Sequence, residues 1–332
     1  MNRKALDDFA THYGLSAEGV EQALELARAR PSTPALIGFC VRLLHLAGVL
    51  SLAAGVVFWV AANWAVIGVF GRFALVQAVL AASVGFALWR PPPHPVGRYA
   101  LLLAFIVTGA LFALYGQTYQ TGADVHELFL NWALLGLAFV VATQWSVSWA
   151  AWTLVLNVAL FLFCAARPAA GLFWRLLAGW EVSLSHLLLL PLAVNLLLWL
   201  ATIGLERSGL AHLAPAWLGR FVLAWAVFYG TWSATLVVVG AAEGEIGGLL
   251  VPLAVFAGIA WHTLGRRTDV FPLALLVASL IVLGTALIIE VGAFDEIGMF
   301  FVISAWLVVS STLSGRYLMH LVRSWGRTEV EA

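Results

Sequence analysis

The sequence predicts an all-α fold: a polytopic transmembrane helix bundle of about ten spans, with N- and C-termini cytoplasmic. Three observations carry this. Of the 332 residues, 63% are hydrophobic and only 10% are charged, whereas a soluble domain carries about 25% charged residues. The apolar residues fall into separate stretches, each near the ~20 residues that cross a hydrocarbon core. Arginine and lysine crowd onto alternate connections. A chain of this composition lacks the polar groups to cover a water-facing surface, so a soluble globular protein, a disordered chain and a nucleic-acid binder are excluded. The first partner is the lipid bilayer.

Residues 1–40 form a polar, helical N-terminal extension. Val20, Ala23, Leu24 and Ala27 recur at helical spacing. Ser16 can cap that helix, with Glu18 and Glu21 in its first turn and Arg28 and Arg30 at its end. Pro31 and Pro34 stop it. An earlier short helix carries Leu6, Phe9 and Tyr13 and ends at Gly14. A cytoplasmic hairpin follows, read as a passive cap in preference to a regulatory element. It is too polar and long for a signal-peptide n-region, so no cleavage is expected.

Spans are expected at roughly 42–62, 69–89, 99–118, 127–143, 147–165, 183–204, 217–240, 246–264, 271–291 and 298–318. The first four form one region, 41–145, and the other six a second, 146–320; a cytoplasmic tail, 321–332, closes the chain. The break at Thr143-Gln144-Trp145-Ser146 is tight, and a re-entrant element there is the alternative. With these spans, fourteen of the seventeen Arg and Lys fall on the side of the N-terminus; Arg72, Arg167 and Arg175 fall on the other. That side is acidic, with Asp124, Glu127, Glu181, Glu243, Glu245, Asp295 and Glu296, and Glu290 nearby. The positive-inside rule makes the Arg-rich side cytoplasmic and the location a bacterial cytoplasmic (inner) membrane.

The connections differ in character. Residues 90–98, RPPPHPVGR, read as a stiff turn in which His94 is a solvated loop residue. Residues 166–182 carry Trp174, Arg175 and Trp180 among apolar residues, as an interfacial helix would. Pro191 should kink the sixth span; Pro252 lies near the start of the eighth. Gly240, Gly244 and Gly248 straddle an outer turn and read as flexibility more than as a helix-packing face. Trp145, Trp149 and Trp152 read as belt or packing residues rather than a substrate cage. Cys40 and Cys164 fall near opposite faces, too far apart for a disulfide.

Polar chemistry concentrates at YGQTYQTGADVHE, residues 115–127, which closes the third span and opens the fourth. Tyr115, Tyr119 and Gly122 share one helical face; Gln117, Gln120 and Asp124 share its neighbour. His126 and Glu127 follow, and Asn131 adds polarity where an apolar residue is expected. Such groups are costly near a membrane unless they bond to each other, to water or to a ligand. Interfacial anchoring and helix capping are the competing explanation. Asn63 and Trp64 close the first span on the same side, and Glu290 approaches that side from the ninth. Within the spans, Gln77, Asn157 and Asn195 are the deepest polar groups, each expected to bond a neighbouring helix for about 0.6–2 kcal/mol. No acid or base sits at mid-membrane, which argues against a proton relay or voltage sensor.

The span ending in Ala61-Ala62-Asn63-Trp64, then Gly71-Arg72, then LYGQTYQTGADVHELFLNWALL at 114–135, resemble a family of bacterial predicted membrane proteins, domain of unknown function 2157. The matching positions are Asn63, Trp64, Gln117, Tyr119, Trp132, Ala133, Leu134 and Leu135, within residues 10–145. The resemblance implies a membrane location and little about activity.

Enzyme signatures are missing: there is no GxSxG, HExxH or paired His/Cys with ligand spacing, and one lysine, Lys4, leaves no phosphate-binding loop. No cofactor and no metal are expected, and the reading leans away from an enzyme. The leading expectation is a polar pocket on the outer side serving a transporter of a small molecule or lipid. An envelope sensor or assembly partner comes second, and a membrane-embedded enzyme using Asp124, His126 or Glu127 third.

Overall fold

The computed structural model describes residues 10–26, 32–120, 122–166, 183–240, 246–266, 269–292 and 295–331. Its regular elements are all helices. Ten of the described spans are long and apolar enough to cross a membrane. The expected interfacial helix at 166–182, the helix carrying Leu6 and Phe9, and the arginines at 28 and 30 lie outside the described residues. The chain divides into two compact units, Met1–Arg72 and Phe73–Ala332.

In the first unit, α1 spans Ala17–Leu26, and the Gly19 amide donates to Ser16 Oγ at 3.2 Å, as the capping pattern requires. Helix α2 runs Thr33–Ala62 without interruption. The sequence reading started this span at 42; the helix begins nine residues earlier. Ser32 is the reason. Its Oγ accepts from the Ala35 amide at 3.4 Å, and Pro34 sits in the first turn, where its missing N–H costs nothing. Pro34 therefore opens α2. Asn63 closes α2: its side-chain amide donates to Trp59 O at 2.8 Å. Helix α3, Val69–Trp89, begins in this unit and continues into the second.

In the second unit, α4 (Pro95–Tyr119) is the most enclosed span, with 50% of its apolar window buried. His94 is more than a solvated residue, because its Nδ1 accepts from the Val96 amide and caps α4. Helix α5 spans Val125–Thr143. Helices α4 and α5 interlock through two aromatic-on-glycine contacts. Trp132 of α5 lies over Gly109 of α4, and Phe105 of α4 lies over Gly136 of α5. The two rings sit 5.5 Å apart, and Trp132 Nε1 donates to Phe105 O at 2.7 Å. Small residues let membrane helices approach this closely.

Helix α6, Ser146–Ala166, follows a two-residue break, so the tight connection is a turn between two spans. Gln144 makes it possible with a left-handed backbone, φ 48°. That conformation costs a non-glycine residue about 1–2 kcal/mol. Gln144 is exposed, so Gln144→Gly is expected to stabilise the protein by about 1 kcal/mol. A thermal melt checks this; a lower melting temperature would contradict it. Trp145 packs edge-on to Tyr99 at 5.0 Å, and Trp152 Nε1 donates to Ala133 O at 2.8 Å. These are packing roles, as expected of the tryptophans.

Helix α7, Leu184–Leu187, is a single turn, and α8 resumes at Leu189–Arg207. The break at Leu188 precedes Pro191 by three residues, where the proline ring disturbs the preceding turn. Asn157 of α6 and Asn195 of α8 are both fully buried. Each amide donates to the other, at 3.0 and 2.8 Å. Helix α9, Ala216–Val238, forms the centre. Its Tyr229 hydroxyl donates to Asn157 O at 3.0 Å. Its Ser233 hydroxyl lies 2.7 Å from Ser185 O and 2.9 Å from Gly248 O.

Helix α10 is Gly247–Arg266. Gly248 lies inside it, and a Cβ there would meet Ser185 Cβ at 2.8 Å. The reading of the three glycines as a flexible turn therefore needs correction at Gly248, a close-packing residue. Gly240 does adopt a turn conformation, φ 66°, and Gly244 lies outside the described residues. Helices α11 (Phe271–Val291) and α12 (Glu296–Glu331) complete the unit. Trp306 of α12 covers Gly284 of α11 and donates to Ile281 O at 3.3 Å. Gln77 departs from expectation: it is exposed on α3 and has no hydrogen bond among the described residues.

Candidate functional site

The end of α4 and the start of α5 shape a cavity of about 380 Å³. Gln120 terminates α4 with a left-handed backbone, φ 44°, and its amide donates back to Gly116 O. This turns the chain sharply, and Asp124 then stands at the N-cap of α5 with no side-chain bond to the helix amides. Between them the two ends present Tyr115, Gln117, Gln120, Asp124, Glu127 and Asn131 to one space, over an apolar base of Phe112 and Leu128. All six polar or phenolic residues are exposed. No hydrogen bond ties down the side chains of Gln117, Gln120, Glu127 or Asn131 among the described residues. The cavity thus offers amide donors and acceptors beside two carboxylates, with a greasy base.

Of the other candidates, Tyr119 turns away and packs on Tyr115, with ring centroids 4.9 Å apart, and on Phe73 at 6.0 Å. His126 faces inward. It is buried, its ring meets Phe163 edge-on at 5.4 Å, and its Nδ1 lies 3.9 Å from Asp124 Oδ2 with no hydrogen bond. Glu290 is exposed beside Gly240 and does not line the cavity. Asn63 and Trp64 belong to the first unit, where both are engaged locally. The Arg72 guanidinium stacks 3.7 Å from the Trp64 ring, donates through Nε to Ile67 O at 2.9 Å and through Nη2 to Trp64 O.

A second cavity, of about 300 Å³, lies among the ends of α8, α9, α10 and α11. The sequence reading did not find it. Its lining includes Trp199, Glu206, Arg220, His262, Arg266 and Asp269. Arg220 binds Asp269 through two N–H groups, at 2.8 and 3.2 Å. Arg266 Nη1 donates to Glu206 Oε2 at 3.3 Å. His262 meets Trp199 edge-on at 5.7 Å, and its Nε2 is buried without a hydrogen-bond partner. The one available signal was charge at the ends of three successive spans, and the sidedness argument had already used it.

The two cavities open at opposite ends of the second unit. Tyr99 touches Trp145, so the start of α4 and the start of α6 share one end. His126 touches Phe163, and Cys164 packs with Leu187 and Leu188, so α5 begins where α6 finishes and α8 starts. Helix α8 then returns, and its last turn carries Glu206 to the end holding Tyr99. No group of three or more metal-ligating side chains occurs among the described residues.

Residues 7–149 match the model of a family described as predicted membrane protein (DUF2157). The match takes in the α4–α5 cavity whole and stops just inside α6. No curated protein and no solved structure matches the chain. The chain is a multi-pass membrane protein, and the description of the family matched over residues 7–149 assigns no activity.

Proposed function

We propose that this protein is a carrier in the bacterial cytoplasmic membrane for a small molecule or lipid with a polar head, bound at the outward-facing α4–α5 cavity. The observation that supports this reading is the set of unspent polar groups there. Gln117, Gln120, Glu127 and Asn131 keep their hydrogen-bonding capacity beside Asp124, above Phe112 and Leu128. Polar side chains near a bilayer are normally paired or functional, and an apolar base with convergent polar groups is the usual build of a small-molecule site. The Arg-rich connections support placing both termini in the cytoplasm.

A second reading, an envelope sensor or assembly partner, is favoured by α12. None of the apolar window of Glu296–Trp325 is buried, which leaves room for a protein neighbour.

Cysteine accessibility distinguishes them. Cys40 and Cys164 are replaced by alanine, and Gln117→Cys is labelled with a membrane-impermeant thiol reagent in right-side-out and inverted vesicles. A carrier is expected to label from both sides, because the cavity must open to each in turn. Labelling from the outer side alone sets the carrier aside in favour of the partner reading. Absence of labelling from either side overturns the cavity itself.

A further inference from the structure

We infer that the second cavity, among the ends of α8–α11, is a phosphate-binding site, recognising either the headgroup of an anionic phospholipid or a soluble phosphate. This does not rest on the carrier reading; it uses other helices at the opposite end of the unit.

Four independent donors converge there. Arg220 and Arg266 are held in place by Asp269 and Glu206, yet they are far from exhausted. A guanidinium has five N–H donors; Arg220 spends two on Asp269, and Arg266 spends one on Glu206. The carboxylates fix the planes of the guanidinium groups and leave the remaining donors to the cavity. Asp269 is itself committed further, since its Oδ1 accepts from the Phe271 amide at 3.0 Å at the start of α11.

His262 supplies the third donor. Its Nε2 is buried and unpartnered, a costly state for a ring nitrogen unless something fills the place opposite it. The fourth is the start of α9. Pro215 stands at its N-cap with no side-chain cap, and Pro215, Ala216 and Gly219 all line the cavity. A helix of 23 residues thus presents an uncapped, positive end to the same space as two arginines. Helix starts of this kind take phosphate, and guanidinium forks match its oxygens. Trp199, Ile203 and Leu223 add apolar lining beside these groups, which suits the non-polar part of a lipid or ester. Glu206 and Asp269 balance the charges of Arg220 and Arg266 in the lining, and the positive helix end tips the space towards an anion.

The test uses the purified full chain. Thermal unfolding is followed with rising inorganic phosphate against chloride at equal ionic strength. In parallel, the chain is equilibrated with mixed phosphatidylglycerol and phosphatidylcholine, and the retained lipid is counted by native mass spectrometry. Stabilisation by phosphate identifies the soluble source. Selective retention of phosphatidylglycerol with phosphate silent identifies the lipid headgroup.

His262→Gln and Arg266→Gln are each expected to weaken the response by about tenfold or more, the size of one charge-assisted hydrogen bond. Arg220→Gln/Asp269→Asn, which neutralises both partners and so avoids orphaning the aspartate, is expected to do the same while melting near the parent chain without ligand. Gln77→Ala, exposed on α3 and outside both cavities, is expected to respond as the parent does. The inference is overturned if neither probe acts, or if the three cavity variants respond as the parent does.

Discussion

Gly109→Ala is expected to lower the unfolding free energy by about 1–3 kcal/mol, the usual cost of overpacking a close-packed contact, and Gly109→Val by more. Against a total stability of roughly 5–15 kcal/mol, that is a large fraction. A single methyl matters here because the indole of Trp132 occupies the space a Cβ would take. The indole has nowhere to go. Its Nε1 is bonded to Phe105 O at 2.7 Å, and its ring packs on Phe105 at 5.5 Å and on Phe129 at 5.8 Å. Moving it breaks a hydrogen bond and two aromatic contacts at once. Gly136 is the mirror position, where a Cβ would stand 2.6 Å from Phe105 Cδ2, and its alanine variant is expected to cost a similar amount. Because α4 and α5 also frame the first cavity, their spacing sets its width. Thermal melts of purified protein check the effect. Shortening the obstructing ring should relieve it: Gly109→Ala/Trp132→Leu is expected to be less destabilised than the sum of its single variants, as touching residues couple. An alanine variant melting with the parent protein would show that the glycine is incidental.

The spans were legible because bilayer physics is written in composition: long apolar runs, arginines between them, and Ser16 where a helix needs a cap. The Pro191 break and the bonding of Asn157 and Asn195 were legible for the same reason, since a proline or an amide in hydrocarbon has few tolerable states. The interlock of α4 and α5 was not. Phe105 and Gly109 are four apart, as are Trp132 and Gly136, but each pair acquires meaning only when the other helix is known to lie against it. Gln77 failed in the opposite direction. A buried partner was expected, yet the residue sits on an exposed face of α3, which no one-dimensional pattern distinguishes from an inward one.

The two cavities differ in the same way. The α4–α5 cavity is built from residues 112–131, all within one short stretch of sequence. Tyr119, His126 and Glu290 do not line it: Tyr119 packs on Tyr115 and Phe73, Glu290 sits elsewhere on the unit, and His126 points into the packing. The second cavity gathers Trp199, Glu206, Arg220, His262, Arg266 and Asp269 across four helix ends. Each of its charges looked like a topology marker, and nothing local marked His262 as unpartnered. A site assembled from helix ends leaves no motif, because its members are neighbours only after the bundle forms.

The fully buried Asn157 and Asn195 carry the second large prediction. The paired amides are saturated as donors. Beyond the reciprocal bonds, Asn157 Nδ2 donates to Thr153 O at 2.8 Å and Asn195 Nδ2 to Pro191 O at 2.9 Å. Four donors meet four acceptors, and no N–H remains for a ligand, so the pair acts as helix glue. Asn157→Leu keeps the side-chain branching but strands the Asn195 amide in a dry interior. Stranding a buried polar group costs about 1–3 kcal/mol, and Asn195→Leu should cost the same for the converse reason. The double variant Asn157→Leu/Asn195→Leu leaves neither amide behind. It is expected to lose less than the sum of the single losses, and to approach the parent if the leucines pack well. The measurement is a double-mutant cycle of unfolding free energies in detergent, and strictly additive losses would refute the pairing. The same cycle bears on Pro191. Its carbonyl lies next to the break between α7 and α8 and accepts the Asn195 side chain, so removing that amide should also loosen the kink. Faster amide exchange at Leu187–Asn195 in Asn195→Leu than in Asn157→Leu is the expected sign that the pair fastens the bend as well as the two helices.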